Sequence, residues 1–366
     1  MTRFRPTVVE VDLDAVRHNV RAIKPPGVEL MAVVKSDGYG HGDVPVARAA
    51  LEAGAAWLGV ALVEEGIALR DAGISAPILV LSEFPRGSEK DAIASGLTPT
   101  VYTDEGTHAV ADAAGAVGRV VAVHLKVDTG MHRVGLWPPE AAPAFAGRIV
   151  EAGLRLDGLW THFATSESDD VTTREQLRLL LEVAGAVRAG GLSPRYLHAA
   201  NSAATIRYPE SHLDVVRPGA AIYGLAAGPG LDAGLRPALT WRSSVTMTKR
   251  LAAGERVSYG HTFTLARDAN VATVPVGYED GFSRLLSNRA EVLIRGRRRR
   301  VAGTVTMDQI LADCGDDEVE VGDEAIMIGQ QGHERITAEE LAGHMGTIGY
   351  EIVCAISERV PREYRG

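Results

Sequence analysis

A chain of 366 residues is longer than one ordinary hydrophobic core fills, so its length predicts one large domain and a smaller one. With 46% hydrophobic and 23% charged residues the composition excludes a disordered or fibrous chain, and a formal charge of −9 argues against nucleic acid as the main partner, because phosphate backbones would be repelled. Only two cysteines, Cys314 and Cys354, are present and neither has a metal-type spacing, which excludes a disulfide framework and points to a reducing compartment, the cytoplasm by default.

The first six residues lead into Thr7-Val8-Val9-Glu10-Val11-Asp12-Leu13, an N-terminal strand, without the apolar core of a signal peptide. No uninterrupted apolar run is long enough to span a bilayer, so no membrane partner is expected. From residue 28 to about residue 224, short β-branched runs alternate with stretches of helical period. Strands are predicted at residues 28–34, 57–63, 77–81, 98–102, 120–127, 155–163, 196–200 and 214–217. Helices are predicted at residues 44–53, 63–72, 140–152 and 173–189, with Gly54, Gly73, Gly153 and Gly190 as stops. This succession predicts an α/β fold, a (β/α)8 TIM barrel, with a doubly wound open sheet as the alternative.

Near Gly228-Pro229-Gly230 the pattern changes to short strands and charged turns, predicted at residues 238–250, 271–276, 290–294, 300–305, 310–314 and 324–328. The expected division is therefore a barrel domain over residues 1–235, carrying the N-terminal strand, and a smaller β-rich domain over residues 236–366. Arg297-Arg298-Arg299-Arg300 reads as the solvated tip of a hairpin, and Thr337-Ala338-Glu339-Glu340 as the capping box of a late helix over residues 337–344.

Chemistry in a (β/α)8 barrel sits at the carboxyl ends of the strands, where this sequence concentrates its unusual residues. Lys35 ends the first barrel strand; Lys126 and Asp128 end the fifth and Arg133 follows; His162 lies on the sixth; His198 through Ser202 end the seventh; Arg217 ends the eighth. Each alone is more often a solvated or structural group than a catalyst, but together they converge on one mouth. The loops after the last two strands are where such barrels bind phosphate, and here they hold Asn201-Ser202-Ala203-Ala204 and Arg217-Pro218-Gly219-Ala220. A phosphate-bearing ligand within reach of a strand-end lysine points to pyridoxal 5'-phosphate held as a Schiff base, with no metal.

From about Val8 to Glu363 these residues resemble bacterial alanine racemases, the fold type III pyridoxal-phosphate enzymes. Ala32-Val33-Val34-Lys35-Ser36-Asp37-Gly38-Tyr39-Gly40-His41-Gly42 is similar to the family's lysine signature, which implies that Lys35 carries the cofactor and Tyr39 contacts its phosphate. The resemblance places His162 against the pyridine ring, Asn201, Ser202, Gly219, Ala220 and Tyr350 around the phosphate, and Arg217 at the pyridine nitrogen. A guanidinium can only donate, so Arg217 would keep that nitrogen unprotonated and weaken the electron sink.

Racemisation needs acid-base groups on both faces of the α-carbon. Lys35 would supply one, and Tyr259, in Gly254-Glu255-Arg256-Val257-Ser258-Tyr259-Gly260, matches the family's second base, contributed across a homodimer interface. A phenol is a poor base unless cations favour its phenolate, and the resemblance implies a chain from Tyr259 through His162 to Arg217 and His198. Lys126 and Arg133 match the positions where a carbamylated lysine orients an arginine toward the substrate carboxylate. Tyr278 and Met307 match residues that narrow the substrate pocket.

The sequence departs from the family at His132, where glycine is common, and at Thr304, where arginine is common; both flank substrate-facing segments. The implied activity is interconversion of L- and D-alanine, supplying D-alanine for peptidoglycan. A broader small amino-acid racemase acting on serine, a decarboxylase of the same fold type and a non-catalytic pyridoxal-phosphate-binding barrel are the alternatives. Arg217 and the Tyr259 segment argue against the decarboxylase, and a non-catalytic barrel would not need a second domain carrying Tyr259.

Overall fold

Near-continuous apolar runs with β-branched residues suit strands buried on both faces, and they form a closed parallel barrel in the computed structural model. The structure describes residues 4–228, 230–231 and 233–366, so Pro229, in the turn read as the change of pattern, lies outside them. The chain forms two units. One comprises Val16–Gly38 with Asp43–Arg236, and the other Met1–Ala15 with Tyr39–Gly42 and Pro237–Gly366.

After the first strand, Val8–Asp12 (β1), the barrel unit contributes Glu29–Val33 (β2), Trp57–Val60 (β3), Ile78–Val80 (β4), Thr100–Val101 (β5), Ala122–Lys126 (β6), Arg155–Trp160 (β7), Tyr196–His198 (β8) and Val215–Val216 (β9). Two four-stranded parallel arcs run β4-β3-β2-β9 and β5-β6-β7-β8. They are joined at both edges: the Val80 N–H donates to Thr98 O at 3.1 Å, and the Asp214 N–H to Leu197 O at 3.0 Å. Closure excludes the open-sheet alternative.

All eight expected barrel strands are present among the described residues, each shorter than its apolar run. Residues such as Ala61, Thr161 and His162 fall within the expected strands but leave the ladder to form the loops at the mouth. Met31, Trp57, Leu79, Tyr196 and Val215, from five strands, make one buried cluster inside the barrel. Full burial of a side chain such as Met31 or Leu79 contributes about 1.5–3 kcal/mol each.

The second unit holds Leu239–Ser244 (β10), Met247–Leu251 (β11), Arg256–Val257 (β12), Phe263–Thr264 (β13), Ala269–Val274 (β14), Glu291–Ile294 (β15), Arg297–Val301 (β16), Ile310–Asp313 (β17), Glu324–Gln331 (β18), Glu334–Ile336 (β19) and Arg362–Arg365 (β20). Its large sheet runs β11-β14-β17-β16-β15-β18-β10-β1-β20, with β19 on β18. β1 therefore joins this unit although it precedes the barrel in sequence, pairing antiparallel with β10 and parallel with β20. The single strand expected over residues 238–250 is two, because Val245 and Thr246 leave β10 and the chain turns onto β14.

The arginine run is not a solvated tip. It forms β16, with the turn at Arg295-Gly296, and acidic neighbours take up its charge. Arg298 pairs with Glu291, Glu334 and Glu340, while Arg297 and the buried Arg299 share Asp317. The late helix spans Ala338–Met345 and Thr337 caps it, its hydroxyl accepting the Glu340 N–H at 3.1 Å. The Glu340 carboxylate turns instead to Arg298, which ties the helix to the sheet.

Candidate active site

β2 ends at Val33, and Lys35 opens a turn in which residues 36–40 all have positive φ, between 51° and 75°. Three of the five are not glycine, and the left-handed form costs an L-residue roughly 1–2 kcal/mol. The turn is held against this strain. The Gly38 N–H donates to Val34 O at 2.9 Å, and the Glu65 carboxylate accepts the Ser36 N–H at 2.6 Å. Gly38 is suited twice over, since at φ +57° a Cβ would stand 3.2 Å from the Asp43 backbone.

Arg217 follows β9 directly and is 3% exposed. Its Nη1 donates to His198 Nδ1 at 2.9 Å, and its Nη2 donates to the carbonyls of Thr161 at 2.7 Å and Ala199 at 3.0 Å. The plane also lies over the Trp160 ring, 4.6 Å from its centroid. Nη2 also lies 3.5 Å from His162 Nδ1. Burial lowers Arg217 to about 9, so it is still a cation at neutral pH.

Lys126 closes β6, buried, with Nζ 4.4 Å from the Trp160 centroid. Burial first, then Arg133 and Arg217, lower it to about 7; Asp128 opposes them and Lys35 adds to them. His162 is held neutral by burial and by Arg217, Lys126, Arg133 and Lys35. Lys35, Lys126, Arg133, His162 and Arg217 thus act on one another electrostatically. Asp128 folds the segment that leads to Arg133, accepting the N–H groups of Gly130 and His132, the latter residue in the left-handed region.

The phosphate candidates meet as well. Ser202 Oγ accepts the N–H groups of Gly219 at 2.9 Å and Ala221 at 3.2 Å, joining the loops after β8 and β9. Asn201 caps the short helix Ser202–Arg207 through the Ala204 N–H and accepts from Ser166. Ala220 opens the 3-10 turn that follows Gly219.

Tyr39, Tyr259, Tyr278, Met307 and Tyr350 belong to the other unit. Tyr39 and Tyr350 meet edge to face, centroids 6.1 Å apart, and burial foremost holds the Tyr39 phenol well above its ordinary range. Tyr278 and Met307 are brought together by backbone: the Tyr278 N–H donates to Thr306 O, and Gly277 packs where a Cβ would lie 2.2 Å from Met307 O. Tyr259 is 73% exposed, beside Arg256 and His261 on the rim of an open depression of about 720 Å³. Its neighbours Ser258, Gly260 and His261 all have positive φ, so the ring is presented on strained backbone.

Two participants escaped the sequence reading. Thr161 gives Arg217 its shortest hydrogen bond, and His124 lies 2.9 Å from His198. His124 had a readable signal: it precedes Lys126 by two residues on one strand and so shares its face.

The family described as "Alanine racemase, N-terminal domain" matches residues 11–227, and "Alanine racemase, C-terminal domain" matches residues 238–364. An alanine racemase of Symbiobacterium thermophilum is 52% identical over 99% of this chain and 98% of its own length. One from Frankia casuarinae is 44% identical, over 97% and 95%. Among solved structures, alanine racemase from Streptomyces lavendulae superposes with a TM-score of 0.94 at 42% identity, covering 100% of this chain and 98% of that one. The enzyme from Bacillus anthracis, solved with bound L-Ala-P, gives 0.93 at 38%, covering 100% and 96%.

Proposed function

The chain belongs to the alanine racemase family, isomerases that depend on pyridoxal phosphate, and on that premise we propose that it interconverts L- and D-alanine with Lys35 and Tyr259 as bases on opposite faces of the α-carbon. The observation that supports this most is buried Arg217, a donor-only cation held by His198, Thr161 and Ala199 and 3.5 Å from His162. A group that can only donate fits a ring nitrogen that carries a lone pair.

Pyridoxal phosphate, when bound, supplies an electron sink that makes the α-proton of an amino acid removable. Arg217, which can only donate, would hold the ring nitrogen and keep it unprotonated, and so would favour prompt return of a proton to the α-carbon. Ser202, Gly219, Ala220 and Asn201 would receive the phosphate, and the family motif implies the same for Tyr39 and Tyr350. His162 would stand at the ring. Lys35 would hold the cofactor through its amine, and that amine, once free, would take or return the substrate's α-proton on one face. Tyr259, from a second copy of the chain, does so on the other.

Arg133 orients the substrate carboxylate. Lys126, near half neutral at pH 7, can add CO₂ to its amine and release a proton, which places a carbamate anion where an ammonium would repel Arg133. Tyr278 and Met307 narrow the pocket toward alanine, although one added group is worth only about 1–3 kcal/mol, so serine is the competitor to test. The working form is a homodimer in the cytoplasm that supplies D-alanine for peptidoglycan; among the described residues no helix is long and apolar enough to cross a membrane.

The purified holoenzyme is incubated with each enantiomer of alanine and of serine in D₂O. Appearance of the deuterated opposite enantiomer is expected, fastest with alanine. Exchange without inversion would refute the two-base reading, and CO₂ release would favour decarboxylation.

A further inference from the structure

The hydrogen bonds of Arg217 do not stop at His198. His198 Nδ1 receives Arg217 Nη1 at 2.9 Å, and His198 Nε2 lies 2.9 Å from His124 Nδ1. A guanidinium has no lone pair to offer, so His198 Nδ1 must be the bare nitrogen of the ring. A neutral imidazole then carries its one proton on Nε2 and donates it to His124 Nδ1. His124 is left with its own proton on Nε2, an atom that is buried and has no hydrogen-bond partner. Both rings are almost wholly inaccessible, and burial with Arg217 nearby holds each neutral, His124 at about 3.

We infer that His124 is a positioning residue for the racemisation: by accepting at Nδ1 it satisfies the Nε2–H that the Arg217 donor imposes on His198, and so holds the His198 ring and the Arg217 guanidinium in place at the barrel mouth. This rests on the reading of Arg217 as the partner of the cofactor's ring nitrogen. The surroundings of His124 are built to fix one ring position. A Cβ at Gly158 would fall 2.3 Å from His124 Nδ1, so only glycine leaves the room. Tyr196 stacks against the His124 ring at 6.0 Å and 25°, Trp57 meets it at 5.5 Å and 58°, and Trp160 stacks on His198 at 5.4 Å and 10°.

The lock works by excluding the alternative. If His124 could not accept, His198 would either keep an unsatisfied buried Nε2–H or move its proton to Nδ1, where it would oppose the Arg217 N–H. Either way the ring or the guanidinium shifts. The exposed sequence distance is large, since His124, His198 and Arg217 come from three different strands or strand ends, but the direction of every bond is set by the one residue that can only donate.

The test uses full-length holoenzyme labelled with ¹⁵N-histidine. Long-range ¹H–¹⁵N correlation should show His198 and His124 each protonated at Nε2 and bare at Nδ1, with signals assigned from His124→Gln. His124→Leu should lower kcat by about 10- to 100-fold with a smaller change in KM, and should move the pH dependence of the cofactor's visible absorption. His124→Gln, whose Oε1 can accept, should recover most of the loss, and Gly158→Ala should mimic His124→Leu. A His198 protonated at Nδ1 in the wild-type holoenzyme would overturn the inference even if the variants failed to fold, as would wild-type turnover and absorption in His124→Leu. If His124→Leu changes the His198 tautomer while the visible absorption stays put, the lock stands and the reading of Arg217 falls.

Discussion

Thr304 holds the main chain of Tyr259, its hydroxyl donating to the Tyr259 carbonyl at 2.9 Å, while Ser258 Oγ donates back to Thr304 O at 2.6 Å. Thr304 was expected to flank a substrate-facing segment, and here it closes a reciprocal clasp around the strained turn that presents the proposed second base. Removing the hydroxyl leaves a carbonyl without its donor, a loss of about 0.5–1.5 kcal/mol spread between stability and the placing of the phenol. Thr304→Val is expected to lower kcat several-fold in both directions with the cofactor's absorbance intact, and Thr304→Ser to retain it. Steady-state kinetics with each alanine enantiomer checks this; equal turnover in Thr304→Val would remove Thr304 from the account.

Gly303 precedes that clasp at φ +85°, and a Cβ there would lie 2.6 Å from Ser258 Cβ and 2.8 Å from Val257 O. Backbone must move to admit even a methyl group. Gly303→Ala is expected to reduce turnover by at least about tenfold, because misplacing a reacting group by about 1 Å is enough to cost that much. Cofactor content, read by visible absorbance, should be unchanged, and loss of the cofactor would show that the substitution acts elsewhere.

Much of the barrel was legible because its strands are short, apolar and bounded by glycine, and because strand-end Lys35, Lys126, His198 and Arg217 break the pattern. The left-handed turn after Lys35 was not, since Ser36, Asp37 and Tyr39 give no sign of φ near +50° and only tertiary partners such as Glu65 impose it. Nor was the place of β1, which depends on strands more than 200 residues away. The fate of the arginine run turned on acidic residues as distant as Glu334 and Glu340, which a local reading of charge cannot supply. His124 was legible in principle from its alternation with Lys126, but the residue that gives it meaning, His198, lies on another strand.

Lys126 makes stability depend on pH in a stated direction. Its folded value is lowered to about 7 from 10.5, so between those values the unfolded chain binds a proton that the folded chain does not. Stability therefore rises with pH across that window, and the burden of the buried ammonium is greatest below it. In CO₂-depleted buffer Lys126→Met is expected to melt above the wild type at about pH 6 and to lose that advantage toward about pH 10. A difference in Tm that is constant with pH would contradict this. Adding bicarbonate at neutral pH should raise wild-type activity and leave Lys126→Met unaffected.

Replacing the planar fork of Arg217 by a point charge separates geometry from charge. Lysine cannot hold the Thr161 and Ala199 carbonyls and His198 together, so at least one buried acceptor is left unpaired, at about 1–3 kcal/mol. Arg217→Lys is expected to lower Tm, lower kcat by about 10²-fold or more, and form a measurable keto acid by side reaction during racemisation. Calorimetry and a keto-acid assay give the two readings. A variant as stable and as faithful as the wild type would contradict the role given to the fork.

The pairing of Lys35 with Tyr259 is tested most directly by Tyr259→Phe holoenzyme in D₂O, with L- and D-alanine supplied separately and both configuration and α-deuterium followed. The phenyl ring keeps the shape of the turn and removes only the hydroxyl. One enantiomer is expected to gain deuterium with its configuration retained, because Lys35 still serves its face, while inversion in either direction falls by at least about 10²-fold. Inversion at the wild-type rate from both enantiomers would contradict a two-base racemase with Tyr259 as the second base.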